Sequence, residues 1–178
     1  LVVAPFHTQT EGSYHSLGNN SWLDGLALLL AFLNNTEKMC NFAVQNRKEY
    51  MLTKVIDQAN IDRVEKWFEN AEKIVIVSHV SPDGDAIGSS LGLYHFLQTQ
   101  DKNVHVIVPN QFPDFLKWMP GAKEVILYDR YTDFANRLIS EADVICCLDI
   151  NELRRIDNME EAVKNSKARK LLVDHHLN

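Results

Sequence analysis

Histidine and aspartate recur together at three places in this chain. The first is His79-Val80-Ser81-Pro82-Asp83-Gly84-Asp85, the second the isolated Asp149, and the third Asp174-His175-His176. Carboxylates brought together with no Lys or Arg between them repel one another, so their convergence calls for a cation. Mixed imidazole and carboxylate donors suit a borderline divalent ion such as manganese better than magnesium, which prefers oxygen alone. Two such ions sharing a carboxylate, about 3.5–4 Å apart, activate water for phosphoryl transfer. Each stretch alone has a blander reading. A single histidine after a strand is commonly a hydrogen-bonded rim residue, and adjacent histidines are often inert. An Asp-x-Asp pair is commonly a turn with a helix cap, and Asp85 before Ala86 is a good cap candidate. The metal reading rests on all three arriving at one place.

The surrounding pattern supplies that place. Lys73 to Ser78 is a continuous apolar run of strand length, rich in β-branched residues, and Ala86 to Gln98 has a helical stripe of Ile87, Leu91 and Tyr94. Strands are expected at Val104 to Val108, Glu124 to Tyr128, Asp143 to Leu148 and Lys170 to Val173. Between them lie a short helical turn at Pro113 to Met119 and helices at Thr132 to Glu141 and Glu152 to Asn165. Upstream, Val55, Ile56, Ile61, Val64, Trp67 and Phe68 fall at helical spacing, with Asn60 a candidate N-cap. Alternating short apolar strands and helices predict an α/β fold, a doubly wound (Rossmann-like) parallel sheet with helices on both faces. Ligands in such sheets bind beyond the carboxyl ends of the strands, at the switch in strand order. The three chemical stretches follow three of these strands. The other two strands deliver Pro109-Asn110 and Asp129-Arg130, a weaker set.

Composition narrows the class. The chain has 178 residues, with 18 Lys plus Arg against 24 Asp plus Glu, a formal net charge of -6. That balance argues against holding long duplex nucleic acid on a broad basic surface, while leaving a small phosphorylated substrate open. Three cysteines make no disulfide framework, and a reducing cytoplasm is the expectation. Cys146 and Cys147, neighbours on a strand, are expected to face opposite sides as core residues. The longest apolar run, Leu26 to Leu33, falls well short of the roughly 20 residues of a membrane span. Gly88 and Gly92 form no dinucleotide fingerprint, and no P-loop pattern occurs. Residues 1–50 show no repeat or strand alternation and read as a poorly ordered extension or upstream read-through, His7 and His15 included. Residues 51–178 read as the organised domain, with Met51 a candidate natural start. The first residue is Leu1, and the chain stops just after its last strand, so it is expected to be a fragment, open at its C-terminus.

The wording HVSPDGDAIGSSLGL at 79–93, CLDINELRRI at 147–156 and LVDHH at 172–176 resembles the first three motifs of the DHH phosphoesterases. The likeness covers about residues 55–178 and is nearest to the oligoribonuclease (nanoRNase) and 3′-phosphoadenosine 5′-phosphate phosphatase branch. The resemblance implies His79, Asp83 and Asp149 around one metal ion and Asp85, Asp149 and His175 around another, with Mn2+ the ion expected at both. It implies Asp174 as a residue orienting His175, and His176 as hydrogen-bond donor or general acid toward the phosphate. Arg155 matches a position where the family often has an arginine near phosphate. A solvated helix start is an equal reading for Arg154 and Arg155. The implied activity is hydrolysis of short oligoribonucleotides and 3′,5′-bisphosphate nucleotides by water activated between two divalent ions, with short RNA or a mononucleotide as partner. Pyrophosphate or cyclic-dinucleotide hydrolysis, or metal and nucleotide binding without turnover, are the rivals. The family's fourth aspartate motif and second domain are absent from this sequence, so the chain alone is expected to be inactive.

Overall fold

The computed structural model describes residues 2–5 and 58–174. Six strands form one sheet: β1 (Val2–Pro5), β2 (Lys73–Val77), β3 (Asn103–Val108), β4 (Ile126–Leu127), β5 (Val144–Leu148) and β6 (Arg169–Asp174). Among the described residues four α-helices accompany them: α1 (Gln58–Asn70), α2 (Gly84–Gln98), α3 (Thr132–Glu141) and α4 (Glu160–Asn165). The spatial order is β1-β6-β5-β2-β3-β4. The chain therefore starts its parallel strands at the centre, steps outward through β3 and β4, then crosses back to lay β5 and β6 on the other side of β2. That reversal places the switch point between β2 and β5, where Ile74 to Val77 run parallel to Val144 to Cys147.

The two faces of the sheet read directly from the period-2 alternation of its strands. Ile74, Ile76, Val104, Val106, Val144 and Cys146 face one core, filled by Val64 and Phe68 of α1 and Ile87, Leu91 and Leu97 of α2. Val75, Val77, Ile107, Ile145 and Cys147 face the other, against Ala135 and Ile139 of α3, Ile156, Met159 and Val163. Both cysteines are fully buried free thiols on opposite faces, as expected; burial pushes Cys147 up to about 12 and Cys146 higher still. Among the described residues no helix is long and apolar enough to cross a membrane.

The five parallel strands and their covering helices are those the pattern predicts, with four local differences. Helix α2 begins at Gly84, because the Asp83 carboxylate caps it, accepting from Asp85 N at 3.0 Å and Ala86 N at 3.1 Å. Asp83, and not Asp85, is thus the cap. The stretch expected as one helix from Glu152 to Asn165 is broken: a 3₁₀ segment spans Leu153–Met159, and Asp157 at φ 51° interrupts it before α4 starts. The 3₁₀ turn Ala122–Glu124 takes residues from the third parallel strand, leaving only Ile126–Leu127. Asn60 lies inside α1 rather than at a cap. A sixth strand, Val2–Pro5, pairs antiparallel with β6, Val2 opposite Asp174 and Pro5 opposite Leu171. Four residues carry too little alternation to reveal a strand by themselves. The Met51 boundary, His7 and His15 lie outside the described residues.

Candidate metal centre

The site grows out of the switch point. At the carboxyl end of β2 the buried Ser78 hydroxyl donates to the Leu148 carbonyl at 2.9 Å, tying β2 to β5 one residue before each delivers its ligand. His79 and Asp149, 4% and 7% exposed, follow at once. Asp149 adopts φ 58°, with its amide donating to the Val173 carbonyl of β6 at 3.0 Å. Left-handed backbone is uphill for a residue with a Cβ, though aspartate tolerates it better than most. Here the neighbouring strand holds the turn that follows the carboxyl end of β5.

His79 Nδ1 lies 2.9 Å from the Val80 carbonyl. A carbonyl only accepts, so Nδ1 carries the proton and the Nε2 lone pair is left to face the carboxylates. Nε2 lies 3.7 Å from Asp149 Oδ2 and 3.8 Å from Asp83 Oδ1. Ligand atoms of His79, Asp83 and Asp149 all lie within 4.8 Å of one another. These separations leave room for an ion between donors, and a ring whose second nitrogen is tied to a carbonyl is the usual setting of a metal-bound histidine. The facing Asp149 carboxylate raises the His79 pKa above its ordinary value; burial and the Arg155 charge oppose it, while the Val80 carbonyl adds to it. The imidazole thus stands among groups that favour a positive charge on its Nε2 side, the role an ion would fill.

Asp85 is half-buried in the first turn of α2, and Asp174 is buried at the end of β6, next in the chain to Val173, whose carbonyl accepts the Asp149 amide. His175 and His176 lie outside the described residues, so the second ligand set is represented here by Asp85 and Asp149 alone. The two arginines after β5 part company. Arg154 is exposed and paired with Glu152, Nη2 to Oε2 at 2.6 Å. Arg155 is half-buried, accepts from Val80 N through its carbonyl at 2.7 Å, and is close enough for its charge to oppose protonation of His79. A second loop contact escaped sequence reasoning: Asn110, at the end of β3, accepts the Ser81 amide on Oδ1 at 2.7 Å. Its position after a strand was the only available signal. A surface depression between α3 and α4, lined by Tyr128, Asn136, Asn158 and Asn165 among others, holds none of the ligand residues.

This arrangement can be set beside known proteins. The DHH family, N-terminal domain, matches residues 73–178. The bifunctional oligoribonuclease and PAP phosphatase NrnA of Thermus thermophilus is 39% identical over 83 residues, 47% of this chain and 23% of the relative. The cyclic-di-AMP phosphodiesterase PdeA of Listeria monocytogenes is 28% identical over 128 residues, 69% of this chain and 19% of the relative. The crystal structure of an exopolyphosphatase-related protein from Bacteroides fragilis superposes with a TM-score of 0.70 at 72% identity, covering 71% of this chain and 37% of that one. The chain thus spans about a fifth to a quarter of these curated relatives. With the family motif matched over the strands, loops and acidic ends that build the centre, the chain belongs to the DHH family of phosphoesterases, near its NrnA branch.

Proposed function

We propose that the intact protein carrying this chain is a manganese-dependent phosphoesterase that hydrolyses short oligoribonucleotides and dephosphorylates 3′,5′-bisphosphate nucleotides. The observation that carries this reading is the His79 Nε2 facing Asp83 and Asp149 at the β2/β5 switch point. One ion would be held by His79, Asp83 and Asp149, and a second by Asp85, Asp149 and His175, with Asp149 shared. Bound there, the ions would lower the pKa of water and neutralise phosphate charge. The chain's own residues do the rest. Asp174 orients His175, Arg155 binds a non-bridging phosphate oxygen, and His176 gives a proton to the leaving oxygen. The name of the Thermus relative supports this substrate pair.

The test is metal stoichiometry and turnover of a dinucleotide by the intact protein and its Asp149→Asn variant. Asn keeps the shape of Asp and removes a charge from both ligand sets, so manganese loading and turnover should fall together. Two ions and near-normal turnover in the variant would defeat the two-metal reading. After chelation, activity should return better with manganese than with calcium, because imidazole ligands disfavour an all-oxygen cation. A second reading, cyclic-dinucleotide hydrolysis, draws on the name of the Listeria relative. A higher kcat/KM for a cyclic than for a linear dinucleotide would favour it.

A further inference from the structure

The loop that carries His79 and Asp83 must leave β2, reverse, and enter α2 within six residues. Ser81, midway, sits at φ 54°, the left-handed region that a residue with a Cβ enters only when its surroundings hold it there. Two amides stand between the ligands before Pro82, and each is tied to a different neighbour. Val80 N donates to the Arg155 carbonyl at 2.7 Å, reaching the segment after β5. Ser81 N donates to Asn110 Oδ1 at 2.7 Å, reaching the end of β3. The first tether uses a backbone carbonyl that every residue has. The second depends on one side chain.

We infer that Asn110 is a positioning residue of the metal centre: its side-chain carbonyl holds Ser81 in the left-handed conformation that keeps the Asp83 carboxylate opposite His79 Nε2. Asparagine supplies the acceptor through an uncharged amide oxygen. Asn110 is itself only half-buried, and Pro109 before it accepts the Asp129 amide at 3.1 Å, which anchors the loop to the end of β4 independently of the side chain. Removing the side chain should therefore free Ser81 and leave the sheet intact.

The inference rests on the metal reading, and the experiment separates the two. Manganese titration of the intact wild-type protein, followed by electron paramagnetic resonance, reports whether the centre binds the ion at all. Asn110→Ala should then weaken manganese binding about tenfold or more, broaden the spectrum of the bound ion, and speed exchange of the Ser81 amide. Asn110→Asp, which keeps an acceptor, should restore slow exchange of that amide and most of the affinity. Wild-type affinity and spectrum in Asn110→Ala, or an Asp variant as impaired as the Ala variant, would overturn the inference. Should the Ala variant fail to fold, the wild-type protein still decides: a Ser81 amide exchanging as fast as an exposed loop amide removes the tether and the inference with it.

Discussion

Asp83 performs two tasks with one carboxylate, closing the first turn of α2 and facing His79. The two are separable because Asn caps nearly as well as Asp but carries no charge. Asp83→Asn should leave stability within a few tenths of a kcal/mol and sharply weaken manganese binding. Asp83→Ala should weaken binding equally and cost a further ~0.5–2 kcal/mol of stability through the lost cap. Chemical denaturation beside a manganese titration checks both, and equal stabilities for the two variants would remove the capping role. The adjacent arginines give a second contrast. Arg154→Ala should change little, since an exposed pair with Glu152 contributes little. Arg155→Ala should leave metal loading intact and reduce kcat/KM by the worth of a charged hydrogen bond, about 1.5–3 kcal/mol. Similar kinetics for the two variants would place Arg155 among ordinary surface charges.

Among the elements, β2 and β5 carry the site, and they are also clamped at the ends far from it. Asp143, just before β5, accepts the amides of Glu72 and Lys73 on Oδ2, both at 2.9 Å. Those backbone hydrogen bonds hold its carboxyl below the usual carboxylate range, while partial desolvation opposes the shift. A depressed folded-state pKa means stabilisation that is complete above the unfolded value of 3.8 and lost as pH falls through the lower folded value. Asp143→Ala should thus cost about 1 kcal/mol at neutral pH, allowing for the exposure of the group. That difference from wild type should shrink as pH falls below the ordinary carboxylate range. Urea titrations at both pH values check it; a difference that persists in acid would assign the loss to packing rather than to charge.

For the whole molecule, the centre joins segments that unfolding separates, so ion binding and folding are linked. Saturating manganese at a hundredfold excess over Kd should add about 2.7 kcal/mol to unfolding free energy, seen as a rise in Tm. His79→Ala should abolish that rise. A Tm indifferent to manganese in the wild type would place the ion elsewhere or nowhere.

The sequence determined the parts that depend on local spacing. Period-2 alternation assigned Cys146 and Cys147 to opposite faces, and the β-branched runs located the parallel strands, so that His79 and Asp149 could be seen to follow strand ends and Asp174 to stand at one. The resemblance of those stretches to the DHH motifs then supplied the family. What alternation cannot encode is which strand lies beside which. Tertiary structure alone put β2 against β5, 70 residues apart in the Ser78–Leu148 contact, and so brought His79 to Asp149. It also chose between neighbouring, chemically identical residues: Arg155 half-buried with its charge opposing protonation of His79, Arg154 exposed and paired with Glu152, and Asp83 rather than Asp85 as cap. Those choices depend on where a neighbouring element ends, as does the bond from Ser81 to Asn110, which no spacing in the chain records. Local hydrophobic pattern sets the faces of elements; long-range contacts between them set the distances on which the chemistry depends.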